Sequence, residues 1–214
     1  MAIKTDIKAI SRAINIASGG FFATVYKAIS DTYQDYMEEQ LSDLINDLIN
    51  NGIEEEELIK FLEDNTNKRF VQNIIKKNIY SDNRIQTYVL AKLWEQQIKN
   101  GTLNFYENSL FYNINSLTNE DLKNYITIFE MIMQEDRGSV CFLYLVSTKI
   151  SEKITKQKPV SLEIILSARR LASANIIVLS SGTRAGMKTD IDVLANDFSK
   201  IFYNWIKNYF DSNK

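Results

Sequence analysis

The chain has 214 residues, a net charge of −2 and no histidine, and Cys141 is its only cysteine. Without histidine, Ser-His-Asp and Cys-His nucleophile systems are excluded, and so are zinc sites that one chain builds from His and Cys. An apolar fraction of 45% suits a globular chain with a sizeable core, organised as one domain or two small ones.

Residues 5–30 read as a helix with a weak point at Gly19-Gly20, because glycine is a poor helix former. Tyr33, Met37, Leu41, Leu44 and Leu48 recur at helical spacing and predict one apolar stripe. Asn50-Asn51-Gly52 supplies residues that tolerate a left-handed cap. Glu54 to Glu57 then open a short helix, where carboxylates suit the positive end of the dipole. Adjacent carboxylates do not share one helix face, so this run is expected to be structural rather than metal-binding.

Phe70, Val71, Ile74, Ile75 and Ile79 predict the next amphipathic helix. Ser81 is expected to cap another, bearing Ile85, Tyr88, Val89 and Leu93 and closing at Asn100-Gly101. A shorter helix covers about 105–115. Thr118-Asn119-Glu120-Asp121 resembles a capping box, with Asp in place of Glu or Gln. It opens a helix carrying Leu122, Tyr125, Ile126, Phe129 and Ile132, and 134–139 is a polar break. The run Val140-Cys141-Phe142-Leu143 reads as a buried, inert thiol. One cysteine makes no internal disulfide, which points to a reducing compartment.

The pattern changes after Pro159. Ser161 caps a helix to about Ala174, with Leu162, Ile165, Leu166 and Ala172 expected inward, and Asn175 ends it. Ile176 to Leu179 is a short β-branched run, and Thr189, Ile191 and Val193 alternate with Asp190 and Asp192 as a strand does. A last helix carries Phe198, Ile201, Phe202, Trp205, Ile206 and Tyr209. Helix, strand, basic loop, strand, helix is the order of a winged-helix wing. The expected fold is therefore mainly α: a multi-helix body over 1–157, then a small winged-helix-like α/β module over 158–214 with a two-stranded hairpin.

Gly182-Thr183-Arg184-Ala185-Gly186-Met187-Lys188-Thr189 imitates a phosphate-binding loop. Such a loop needs four residues between its glycines and Gly-Lys-Ser/Thr leading into a helix. Here the spacer has the wrong length, Met187 separates Gly186 from Lys188, and a strand follows, so nucleotide hydrolysis is not expected.

The charge is unevenly placed. Residues 1–148 carry 14 Lys/Arg against 21 Asp/Glu, and residues 149–214 carry 11 against 6. Lys149, Lys153, Lys156 and Lys158 precede the helix that bears Arg169 and Arg170, and Arg184 and Lys188 fall on the hairpin loop. Cations on a helix and its adjoining wing can neutralise phosphates. Arg169, Arg170, Arg184 and Lys188 are the expected contacts to nucleic acid or to an acidic protein. A second option is a membrane-acting effector, because Lys4, Lys8, Arg12 and Lys27 flank an apolar stretch within 1–30. A third is a plain protein-protein scaffold. Pairs such as Asp35/Glu39, Glu63/Asp64 and Glu135/Asp136 give no reason to converge in a cleft, so no catalytic residue, metal or cofactor is expected. No segment reaches the roughly 18 apolar residues of a spanning helix, and a cytoplasmic protein is the expectation.

The Asn67-Lys68-Arg69-Phe70 helix start, the Ser81–Trp94 helix and the Leu117-Thr118-Asn119-Glu120-Asp121-Leu122 turn resemble helical proteins of the bacterial abortive-infection alpha type, whose members often close with a winged-helix-like end. The resemblance covers most of 55–210 and implies a role in phage defence or a related conflict system. It departs at Ala195-Asn196-Asp197, where a Thr-x-x-Gly helix start is common, and it carries over no functional residue.

Overall fold

A computed structural model describes residues 31–81, 83–135, 139–144, 158–180 and 190–212. The helix expected over 5–30 lies outside them. The chain divides into two compact units, with the break between Leu103 and Asn104. The boundary expected at 157/158 falls inside the second unit.

The first unit is helical in its described residues. Helix α1 (Asp31–Asn50) buries Met37, Leu41, Leu44 and Leu48 of the expected stripe, and Ile45 beside them. It ends at Gly52, whose φ of 90° is the left-handed conformation glycine adopts without a Cβ clash. The Gly52 amide donates to the Ile49 carbonyl, and the next amide, of Ile53, reaches back to Leu48. Helix α2 (Glu55–Glu63) places Glu55, Glu56 and Glu57 in its first turn and buries Leu58 and Leu62.

Helix α3 (Lys68–Ile79) buries Val71, Ile74, Ile75 and Ile79. Helix α4 (Arg84–Asn100) buries Ile85, Val89, Leu90, Leu93 and Trp94. Its cap is Asn83 rather than Ser81. The Asn83 backbone is extended, and its side chain accepts from the Gln86 amide at 3.1 Å. Ser81 instead donates its hydroxyl to the Lys77 carbonyl at 3.1 Å and satisfies the end of α3. Helix α4 closes at Gly101 with φ 73°, as expected. Helix α1 packs on α4 and on α3, and polar bonds pin the crossings. Asn78 Nδ2 donates to the Gln40 carbonyl at 2.8 Å, and Thr87 Oγ1 donates to Gln40 Oε1 at 2.9 Å.

The second unit mixes helices and sheet. Helix α5 (Phe105–Asn113) opens on a capping box made by Asn104 and Glu107. Helix α6 (Asn119–Met133) opens on the expected box of Thr118 and Asp121. Its core face carries Leu122, Tyr125, Ile128, Phe129 and Ile132, so Ile128 takes the buried place expected of Ile126. Four strands follow: β1 (Ser139–Tyr144), β2 (Lys158–Val160), β3 (Ile177–Ser180) and β4 (Asp190–Ala195). They form one sheet in the order β2-β1-β4-β3. The expected hairpin is its β3–β4 half, antiparallel with Val178 opposite Leu194. Strand β1 extends it, antiparallel to β4 and parallel to β2. Cys141 therefore sits on a strand, with Asp192 as its Cα partner.

Helix α7 (Leu162–Ser173) joins β2 to β3 and is capped by Ser161. Asn175 ends that connection with φ 58°, in the left-handed region asparagine tolerates. Helix α8 (Ser199–Ser212) closes the unit. Helix α6 packs on α7, on α8 and on strands β1 and β4. A polar knot fixes the start of α8. Asn196 Oδ1 accepts from the amides of Phe198 and Ser199, and Asn196 Nδ2 donates to the Asn175 carbonyl at 2.8 Å. Ser199 Oγ donates to the Ile176 carbonyl at 2.6 Å, and Tyr125 donates its hydroxyl to the Ser199 carbonyl. Asn196 thus supplies the start of α8. Phe198, Phe202 and Trp205 pack beside Tyr125 at its core.

Candidate functional site

Helix α7 carries two of the four expected contact residues. At 100° per residue, Ile165, Ala168 and Leu171 share the face toward α6, and all three are buried. Leu162, Leu166 and Arg169, at i, i+4 and i+7, share the opposite face. Leu162 is 45% and Leu166 38% exposed, so neither takes the inward place the sequence pattern suggested. The small residues Ser167 and Ala168 take that side instead, because α7 lies close against α6.

Arg169 is exposed and makes no ion pair among the described residues. Arg170 is engaged differently. Its Nε donates to Asp121 Oδ2 at 2.7 Å and its Nη2 to Oδ1 at 2.6 Å, a two-pronged grip on one carboxylate. Asp121 is fully buried. It also accepts from the Thr118 amide at 2.8 Å, the Thr118 hydroxyl at 2.9 Å and the Ser167 hydroxyl at 2.7 Å. Asn124 Nδ2 donates to Ser167 Oγ at 3.0 Å and fixes that hydroxyl in turn. Burial alone would raise the Asp121 pKa. The bonds from Arg170, Ser167 and Thr118 outweigh it and hold the carboxyl below its ordinary value.

Arg184 and Lys188 lie outside the described residues, in the segment that connects β3 to β4. Lys149, Lys153 and Lys156 also lie outside them, as do 1–30. Lys158 opens β2. Of the four expected contacts, the structure thus brings Arg169 and Arg170 onto one helix and shows Arg170 tied to Asp121. The sequence offered Asp121 only as a cap. Its pairing with Arg170 spans 49 positions, and no local signal announces a partner so distant.

A shallow cleft of about 300 Å³ opens between α6 and α8, lined by Phe129, Glu130, Met133, Lys200, Tyr203 and Asn204. Tyr203 donates its hydroxyl to Glu130 Oε1 at 2.9 Å and accepts from Lys207 Nζ at 3.0 Å. The bond to Tyr203 raises the Lys207 pKa. The Glu130–Tyr203–Lys207 array is solvent-exposed. Among the described residues, no three Asp, Glu or Cys side chains are grouped to hold a metal ion, and no helix is long and apolar enough to cross a membrane.

No protein-family model matches the chain, and no curated protein or solved structure is significantly similar to it. The abortive-infection resemblance gains no support from these comparisons.

Proposed function

We propose that this chain is a non-enzymatic bacterial or phage regulatory or defence protein that acts by binding, and that its C-terminal unit contacts the phosphates of nucleic acid. The observation that carries this reading is Arg169, exposed on α7 without an ion-pair partner among the described residues. Beside it, Arg170 remains 42% exposed while paired. The segment joining β3 to β4 adds Arg184 and Lys188 by sequence. Cations gathered on a helix and a hairpin connection suit a phosphate backbone, whose affinity comes from counterion release.

Anisotropy of labelled duplex DNA at low and physiological salt tests the reading. Affinity should fall steeply with salt, and Arg169→Ala should reduce the salt slope by about one. The Arg184→Ala/Lys188→Ala variant should flatten it further. Absence of binding at low salt would reject a phosphate-contacting surface.

A second reading has its own observation. Leu162 and Leu166 are exposed on the same helix face as Arg169, and a mixed apolar and basic strip suits an acidic protein partner. Leu166→Asp would then abolish binding of that partner, whereas phosphate contact would be only weakened. The membrane-acting alternative rests on residues 1–30, and liposome co-sedimentation with and without them decides it.

A further inference from the structure

We infer that Asp121 is a positioning residue for Arg170, which turns an otherwise floppy side chain into a fixed anion contact; the inference rests on the anion-binding reading above. An arginine offers five N–H donors. Arg170 gives two of them to Asp121, one from Nε and one from Nη2. Both N–H bonds of Nη1 lie outside that grip and meet no described residue, and the side chain keeps 42% of its surface in solvent. The guanidinium is therefore held by one edge with its other end outward, next to the exposed Arg169.

The holder is itself held. Five donors converge on the Asp121 carboxylate, from Thr118, Ser167 and Arg170. It has no freedom to follow Arg170 outward. A surface arginine surrenders much rotamer freedom when it grips a phosphate. Arg170 has surrendered that freedom on folding, so an anion meets donors already in place. Lysine cannot substitute, because an ammonium cannot be gripped along one edge and present another.

The role predicts the opposite of simple electrostatics. Removing the negative charge of Asp121 should strengthen binding of an anion if charge alone matters. If Asp121 positions Arg170, its removal weakens binding. The experiment is anisotropy of a short labelled duplex DNA at low salt, using the full chain with Asp121→Asn, Arg170→Ala, both together, and Arg170→Lys. Asp121→Asn and Arg170→Ala should each weaken binding roughly tenfold, the scale of one charge-assisted hydrogen bond. The double variant should be no weaker than Arg170→Ala alone, because the aspartate acts only through the arginine. Arg170→Lys keeps the charge and leaves Thr118 bonded to Asp121, so it reads the grip even if Asp121→Asn fails to fold. It should weaken binding by a similar factor.

Asn104→Ala supplies the control, since it destabilises the same unit through the α5 cap and should lower Tm with affinity unchanged. Asp121→Asn or Arg170→Lys binding as tightly as the natural chain overturns the inference, as do additive effects in the double variant. A natural chain that binds no DNA at low salt removes the phosphate-binding reading itself, and this inference with it.

Discussion

Both units tie their helices together with an arginine and aspartates, and they do it in opposite proportions. In the first unit, one arginine serves two carboxylates. Arg84 bonds both oxygens of Asp47 and reaches Asp43 at 3.0 Å. In the second unit, one carboxylate takes Arg170, Ser167 and Thr118 together. The consequences show in the carboxyls. Burial pushes Asp43 up, Arg84 opposes it, and the charges of Asp47 and Glu39 add to the rise. Asp121 is deeper and yet held down, because donors outnumber what burial costs. Satisfaction of a buried charge, more than its depth, decides whether it stabilises a fold.

The comparison breaks most easily at the carboxylates. Asp121→Ala should destabilise the second unit by about 3 kcal/mol, because it leaves Arg170, Ser167 and two Thr118 donors without their acceptor. Asp47→Ala in the first unit should cost only about 1 kcal/mol, since Arg84 keeps Asp43 and is a third exposed. Hydrogen exchange resolved by unit reads both, and equal costs would erase the distinction.

Acid should separate the units as well. Asp121 has a folded pKa below its unfolded value, so its contribution is present above the unfolded range and lost as pH falls below about 4. Asp43 has the reverse sign. Its folded form takes up the proton more readily, so its contribution grows as pH falls and is lost as pH rises through its raised value. On acidification the amides of α6 and α7 should lose protection before those of α1 and α4. The opposite order would contradict the assigned signs.

Smaller effects sharpen the helix starts and the core. Asn83→Ala should cost about 1 kcal/mol in urea unfolding through loss of the α4 cap. A neutral result would return the cap to another residue. Trp94 is fully buried, and its indole N–H has no partner among the described residues. Trp94→Phe trades lost volume against an unsatisfied donor, so its change should stay within about 1 kcal/mol. A larger loss would mean that the indole N–H is satisfied by a buried water.

The helices were largely legible because each carries its own stripe and punctuation. Met37 to Leu48 bury as their spacing demands, and Gly52, Gly101 and Asn175 stop the chain with positive φ. The Thr118–Asp121 box was equally local. Strand β1 was missed because Val140 to Leu143 is a continuous apolar run, and such a run lacks the alternation that marks a half-buried strand. Leu162 and Leu166 were placed inward because periodicity does not say which of two apolar-looking faces meets a neighbour.

By itself the sequence determined a mainly helical chain with a C-terminal hairpin, the ends of most helices, and the absence of histidine chemistry. These follow from local backbone preference and from composition, which act within a few residues. Tertiary structure alone decided that β1 and β2 complete a four-stranded sheet, and that the units divide after Leu103. It also decided that Asp121 grips Arg170 across 49 positions. Those are pairings between distant segments, fixed by which partners fill the same space and satisfy each other's donors.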